Sequence, residues 1–329
     1  MNQFLRSLTP DQQVGLLFVL VFGILLLGSA IVVVMSLREP VDESRRESRR
    51  ANLREFSTLL RSSWLMVTVF WIGWAAGETT AIVLFALVAF FALREFITLS
   101  PTRRGDHRSL VLAFFVVLPV QFWLVGTQHF DLFSVFIPVY VFLAIPVVSA
   151  LADDPRGFLE RNAKLQWGIM VCVYGLSHVP ALLLLRFKGY QGKTAFLVFF
   201  LFIVVQTCMV VQSQASRRLR ALPVARHVSR GFKWPSWVLG LVVGSFVGGL
   251  LSAITPFKPA QALAMGFIAC VAGSLGHFVM KALKRDRGVT NWGPQGAGVT
   301  GASGLLDRVD ALCFAAPVFF HSVRWYFGA

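Results

Sequence analysis

Ten apolar runs, parted by short polar or charged stretches, leave this chain few ways to fold. They lie at approximately 14–35, 64–76, 80–93, 110–127, 132–152, 167–185, 194–213, 236–254, 262–281 and 309–327. A helix that crosses the hydrocarbon of a bilayer needs about 20 mostly apolar residues, and it satisfies its own backbone hydrogen bonds on the way. Ten such helices consume most of 329 residues, so no sizeable soluble domain fits beside them. Only 14% of the residues are charged, where soluble domains carry about 25%. The expected fold is all-α, a single polytopic membrane domain over 1–329 with about ten transmembrane helices. The second and third runs are short and flank Gly77-Glu78, so a broken or re-entrant hairpin is expected there. The first run is too long for the apolar part of a cleaved signal and lacks a small-residue cleavage site, which reads as a retained helix.

Charge sets the expected orientation. Lys and Arg number 31 against 16 Asp and Glu. The loops after odd-numbered runs hold 25 of these cations, Lys281 at the close of the ninth run included, and the loops after even-numbered runs hold 4. By the positive-inside rule the odd loops face the cytoplasm and both termini face the other side. Cations spread over many short loops match an anionic bilayer surface rather than nucleic acid, which needs a continuous basic patch. In the basic loop 36–63, Leu53, Phe56, Leu59 and Leu60 recur at helical spacing with Arg54 and Arg61 elsewhere on the wheel. This fits an interfacial amphipathic helix, or a solvated connector in its first half. Cys172, Cys208, Cys270 and Cys313 all lie in apolar runs without CxxC spacing, so neither disulfides nor metal ligation is expected of them.

Two basic loops could carry chemistry on a charged headgroup, 214–235 and 281–308. The second is richer. Lys281, Lys284, Arg285 and Arg287 lead into six glycines from Gly288 to Gly304, and Asp307-Arg308-Val309-Asp310 opens the last apolar run. Asp307 and Asp310 are three apart, so on a helix they share a face and can hold one divalent ion. Glycine-rich backbone can approach phosphates closely and offer N–H donors, while Lys284 and Arg285 supply positive charge. The simpler alternative makes Asp307 a helix cap and the lysines mere followers of the positive-inside rule. Within the apolar runs, His178 beside Ser177 reads as a relay or as a packing histidine, and Gln206, Thr207 and Gln212 as cavity-lining or interhelical hydrogen-bonding groups. Glu78 and Asp131 fall on the side away from the basic loops and read as structural.

The stretch from Gly273 to His321, GSLGHFVMKALKRDRGVTNWG followed by GVTGASGLLDRVDALCFAAPVFFH, resembles the C-terminal signature of phosphatidate cytidylyltransferases (CDP-diacylglycerol synthases). The resemblance implies that CTP and phosphatidate react with Mg2+ to give CDP-diacylglycerol and pyrophosphate. It assigns metal binding to Asp307 and Asp310, catalytic roles to Lys284, Arg285 and Arg308, and close phosphate approach to Gly288 and Gly304. Upstream, SRGFKWPS over Ser229 to Ser236 aligns weakly with a substrate-binding run of that family, giving Ser229 and Lys233 as contacts. The sequence also departs from the pattern. His277 replaces an aspartate and stands as a metal ligand of another kind, Thr290-Asn291 replaces Lys-Asp, and Ala302-Ser303-Gly304 replaces His-Gly-Gly. Mg2+ prefers oxygen, so His277 is a poor substitute for the lost carboxylate.

Two readings follow from that mixture. One is a phospholipid-synthesising nucleotidyltransferase with an altered site. The other is a catalytically impaired relative, binding lipid or nucleotide or scaffolding a partner enzyme. A third, transport of an anionic solute, rests on His178 and the early hairpin alone. The resemblance further implies a bacterial inner membrane with the site loops facing the cytoplasm, and it leaves a homodimer open.

Overall fold

The computed structural model of the chain describes residues 10–37, 53, 57, 60, 63–64, 67–100, 102–186, 194–289, 292 and 304–328. The expected all-α membrane architecture is what it shows. The helices are α1 (Pro10–Leu37), α2 (67–75), α3 (Glu78–Thr98), α4 (Arg104–Gly126) and α5 (Phe130–Ala150). They continue with α6 (Phe158–Leu184), α7 (Ala195–Arg218), α8 (Trp234–Leu250), α9 (Pro259–Asp286) and α10 (Leu306–Phe327). Among the described residues, seven helices from α3 to α9 are long and apolar enough to cross a membrane. No strand occurs among the described residues, only an isolated bridge between Ala225 and Ser229.

The chain forms two compact units, residues 1–81 and 82–329. In the first, α1 and α2 pair antiparallel through aromatic contacts. Phe18 lies 5.9 Å from Phe70 and 5.5 Å from Trp74 between ring centroids, and the Trp64 indole donates to Ser29 Oγ at 3.1 Å. Leu60 of the basic loop packs against the bare backbone at Gly28. Phe56, Leu59, Arg54 and Arg61 lie outside the described residues. Gly77, with φ of +91°, turns α2 into α3. The third apolar run is not short. Its helix continues through Arg94-Glu95 to Thr98, 21 residues in all, because Arg94 faces outward and Glu95, though 3% exposed, finds hydrogen-bond donors.

In the second unit, α4, α5 and α6 each contain a π-turn, at Ala113–Val117, Phe136–Val141 and Ile169–Gly175. Each π-turn is followed within five residues by a proline: Pro119, Pro146 and Pro180. A proline ring pushes on the carbonyl four residues upstream and withholds an N–H, and a widened turn relieves that crowding without ending the helix.

α7, α8, α9 and α10 pack side by side. Lipid tails are as apolar as leucine, so packing in a bilayer relies on small residues that let backbones approach. Two glycines set the position of α10. A Cβ on Gly175 of α6 would stand 2.3 Å from the Cys313 carbonyl oxygen, and one on Gly276 of α9 would stand 2.2 Å from the Phe314 ring. α10 is thus pressed against a bare backbone on either neighbour. All four cysteines are buried and free, as the sequence leads one to expect.

Candidate active site at the junction of α9 and α10

α9 and α10 run antiparallel, and the Gly276–Phe314 contact fixes which residues face each other. His277 Nδ1 stands 2.7 Å from Asp310 Oδ2, and the Lys284 ammonium donates to Asp307 Oδ1 at 2.6 Å. The two aspartates, in the first turns of α10, thus meet two different basic groups of α9. Asp310 is 4% exposed at its side chain and Asp307 23%. The second oxygens are also engaged. Asp310 Oδ1 accepts from the Ala311 N–H at 2.6 Å, and Asp307 Oδ2 from the Trp292 N–H at 2.8 Å.

Trp292 lies in the connection between the two helices. Its ring stacks on Phe96 of α3 at 5.6 Å, and its side chain is almost wholly buried. The indole Nε1 has no acceptor among the described residues. A buried donor left unmet costs about 1–3 kcal/mol, so a group able to accept from it would be held there.

The start of α10 is capped from a distant part of the sequence. Glu95 of α3 accepts from the Leu305 N–H at 3.0 Å and the Leu306 N–H at 2.8 Å with its two carboxylate oxygens. A carboxylate at a helix N-terminus satisfies orphan donors and opposes the positive end of the dipole. Sequence reasoning missed Glu95, ending the third apolar run at 93. The available signal was an acid inside an apolar stretch, which is costly unless it has a use.

At the other end of the connection, Gly288 has φ of +67°. Its N–H donates to the Arg285 carbonyl and the Val289 N–H to the Lys284 carbonyl, at 3.1 and 3.0 Å. This is the Schellman arrangement that closes a helix, and it demands a left-handed residue. Gly288 therefore has a structural task in ending α9. Gly304, with φ of +71°, leads into α10 two residues before its start.

The remaining site residues are dispersed. Arg285 is exposed and Arg308 half-buried, and neither side chain pairs with an aspartate among the described residues. Lys233 is turned to another task, donating to the Ser216 and Leu219 carbonyls at 2.6 and 2.8 Å and so capping α7. Ser229 is buried in the same loop, with its N–H on the Ala225 carbonyl. That loop touches α9 through Phe232, whose ring lies 4.5 Å from Phe278, next to His277. The structure thus unites His277, Lys284, Asp307 and Asp310 and holds Ser229 and Lys233 in a separate, structural cluster. Thr290, Asn291, Ala302 and Ser303 lie outside the described residues. Among the described residues, no three His, Cys, Asp or Glu side chains converge on one point.

With this geometry in view, comparison with known proteins is informative. The cytidylyltransferase family model matches residues 57–326, most of the chain. The chain belongs to the cytidylyltransferase family. Its similarity to a curated relative runs through nearly the whole length. The uncharacterized protein YnbB of Escherichia coli (strain K12) is 33% identical over 273 residues, covering 82% of this chain and 88% of that protein. As a cytidylyltransferase-family member the chain is, at a coarse level, a CTP-dependent nucleotidyltransferase of the membrane. The matched span includes α9, α10 up to Tyr326 and every residue of the charged array.

Proposed function

We propose that the protein transfers the cytidylyl group of CTP to phosphatidate, giving CDP-diacylglycerol and pyrophosphate for phospholipid synthesis. The observation that carries this reading is the charged array at the α9–α10 junction in a chain of this family. Lys284, with Arg285 beside it in sequence and Arg308 beside Asp307, supplies cations for the triphosphate. A phosphate oxygen of phosphatidate attacks the α-phosphorus of CTP, forming one P–O bond as the bond to pyrophosphate breaks. Such a reaction gathers several anionic phosphates, so fixed positive charge stabilises its transition state most.

The family reaction implies Mg2+, and the donors present fit it by type. Mg2+ takes one or two carboxylates and fills its remaining positions with water and substrate phosphates. Each oxygen of Asp307 and Asp310 carries one hydrogen bond and retains a second lone pair. Asp307 and Asp310 would hold the ion, with His277 orienting Asp310. When bound, Mg2+ supplies charge neutralisation on the phosphates. Glu95 and Trp292 fix the connection that delivers Asp307, and the Trp292 indole N–H, without an acceptor among the described residues, is suited to one on the substrate. The loop charges support an orientation with this array on the cytoplasmic side, the family resemblance implies a bacterial inner membrane, and a homodimer is compatible with both.

A second reading is a catalytically impaired relative that binds lipid or nucleotide or scaffolds a partner enzyme. It is favoured by one observation: every oxygen of the two aspartates already has a protein partner. The deciding experiment incubates purified protein with phosphatidate, labelled CTP and Mg2+ or Mn2+, beside an Asp307→Ala/Asp310→Ala control. CDP-lipid made by the parent and lost in the control is the expected result. Folded parent that binds CTP or lipid yet turns over neither mixture would establish the second reading.

A further inference from the structure

A second polar cluster lies in the apolar interior, toward the opposite end of α10. His321 is 11 residues beyond Asp310, which is about 16 Å along the helix, so the two clusters are separate. His178 of α6 is fully buried. Its Nδ1 lies 2.7 Å from the Tyr174 carbonyl oxygen, an acceptor only, which places the ring proton on Nδ1. Nε2 is then left with its lone pair directed outward, and it points at His321 Nε2, 3.3 Å away. The Tyr174 hydroxyl is 3.1 Å from the same His321 Nε2.

The second imidazole nitrogen and the phenol oxygen thus both lie against His321 Nε2. Around a tetrahedral ion with bonds of about 2.0–2.1 Å, two ligand nitrogens stand about 3.3 Å apart. The observed separation matches. The backbone carbonyl behind His178 is the kind of outer partner that fixes tautomer and ring direction in metal-bound histidines. Phe133 and Phe320 wall the cluster, with ring centroids 4.6 and 5.1 Å from His178. His321 and Tyr174 are only partly buried, which leaves a side for an ion to approach. Arg324, one turn further along α10, is paired with Asp131, so its charge is offset.

We propose that Tyr174, His178 and His321 form a binding site for a divalent transition-metal ion of the zinc class, distinct from the array at Asp307 and Asp310. Imidazole suits Zn2+, Cu2+ and Ni2+ rather than Mg2+. Binding converts the Tyr174 phenol to phenolate, with its proton released to solvent and a water completing the tetrahedron. The inference stands independently of the cytidylyl-transfer reading.

The test uses full-length protein, purified in detergent and stripped of metal, titrated with Co2+ as a visible-absorbing probe. The expected result is one equivalent with the intense visible bands of tetrahedral Co2+, accompanied by proton release and displaced by Zn2+. His321→Gln and His178→Gln should each weaken binding at least about 10-fold, while His277→Ala should leave it intact. If His178→Gln does not fold, the half-buried His321→Gln variant and X-ray absorption of the Zn2+-loaded parent, expected to show two imidazoles, carry the decision. Absence of Co2+ binding at millimolar concentration would overturn the proposal. So would binding unaffected by His321→Gln, or abolished by His277→Ala.

Discussion

α10 carries a polar cluster toward each end, and the two are built on opposite principles. Near its N-terminus, Asp307 and Asp310 face Lys284 and His277 in an array of formal charges beside a helix terminus and a loop. Near its C-terminus, His321 meets His178 and Tyr174 in a group that is uncharged in its neutral tautomers and packs against Phe133 and Phe320. Charge survives in a membrane protein where substrate phosphates, helix dipoles or headgroups can answer it. Among apolar side chains, the cost of a bare charge favours neutral, mutually hydrogen-bonded groups. The proposed reaction between two phospho-compounds would fall at the first cluster, and the proposed imidazole-ligated metal site at the second.

Substitutions can test that division, beginning with the greatest effect. Asp310→Ala should lower CDP-lipid turnover at least about 100-fold, because it strands His277 and removes a carboxylate from the array. The same variant should leave the Co2+ spectrum of the histidine cluster unchanged, and a joint loss would merge the two clusters into one. Gly276→Ala should destabilise the protein by about 1–3 kcal/mol, since its new methyl must displace the Phe314 ring. Its thermal midpoint in detergent checks this, and an unshifted midpoint would mean that α10 does not depend on the close crossing. Glu95→Gln keeps the shape of the cap but removes its charge, and should cost about 1 kcal/mol. Measured turnover should fall by about 10-fold or less, short of the Asp310 effect. Lys233→Met should be the mildest, about 0.3–1 kcal/mol from the end of α7. A large rise in the KM for CTP would instead return Lys233 to the substrate site.

Much of this molecule can be read from its residues, and the failures have physical causes. The seven span-length helices among the described residues follow from apolar runs because a bilayer rewards continuous hydrophobicity. The pairing of Asp307 and Asp310 on one face follows from helical spacing. Which basic groups they meet does not, because that depends on how α9 and α10 cross, and the crossing depends on one glycine whose neighbour is 38 residues away. Glu95 escaped because a local hydropathy pattern cannot distinguish an acid that ends a helix from one that continues it and caps another. Gly288 was legible as a glycine near phosphate-binding residues, yet its backbone geometry shows it closing α9. Lys233 matched a family lysine only loosely, and the carbonyls at the end of α7 claim it. His178 stood out as an intramembrane histidine, while His321, in a half-apolar stretch near the end of the chain, gave no sign of being its neighbour.

The spacing of the two ion pairs has a mechanical meaning. His277 and Lys284 are seven positions apart on α9, about 10 Å of rise, whereas Asp310 and Asp307 are three apart on α10, about 4.5 Å. The long lysine stem bridges the mismatch. The two contacts therefore behave like two pins of unequal length in a lock: sliding α10 one turn along α9 could seat one pin only by unseating the other. With the Phe314 ring jammed against Gly276 as the stop, the helix pair has a single depth at which both pins engage.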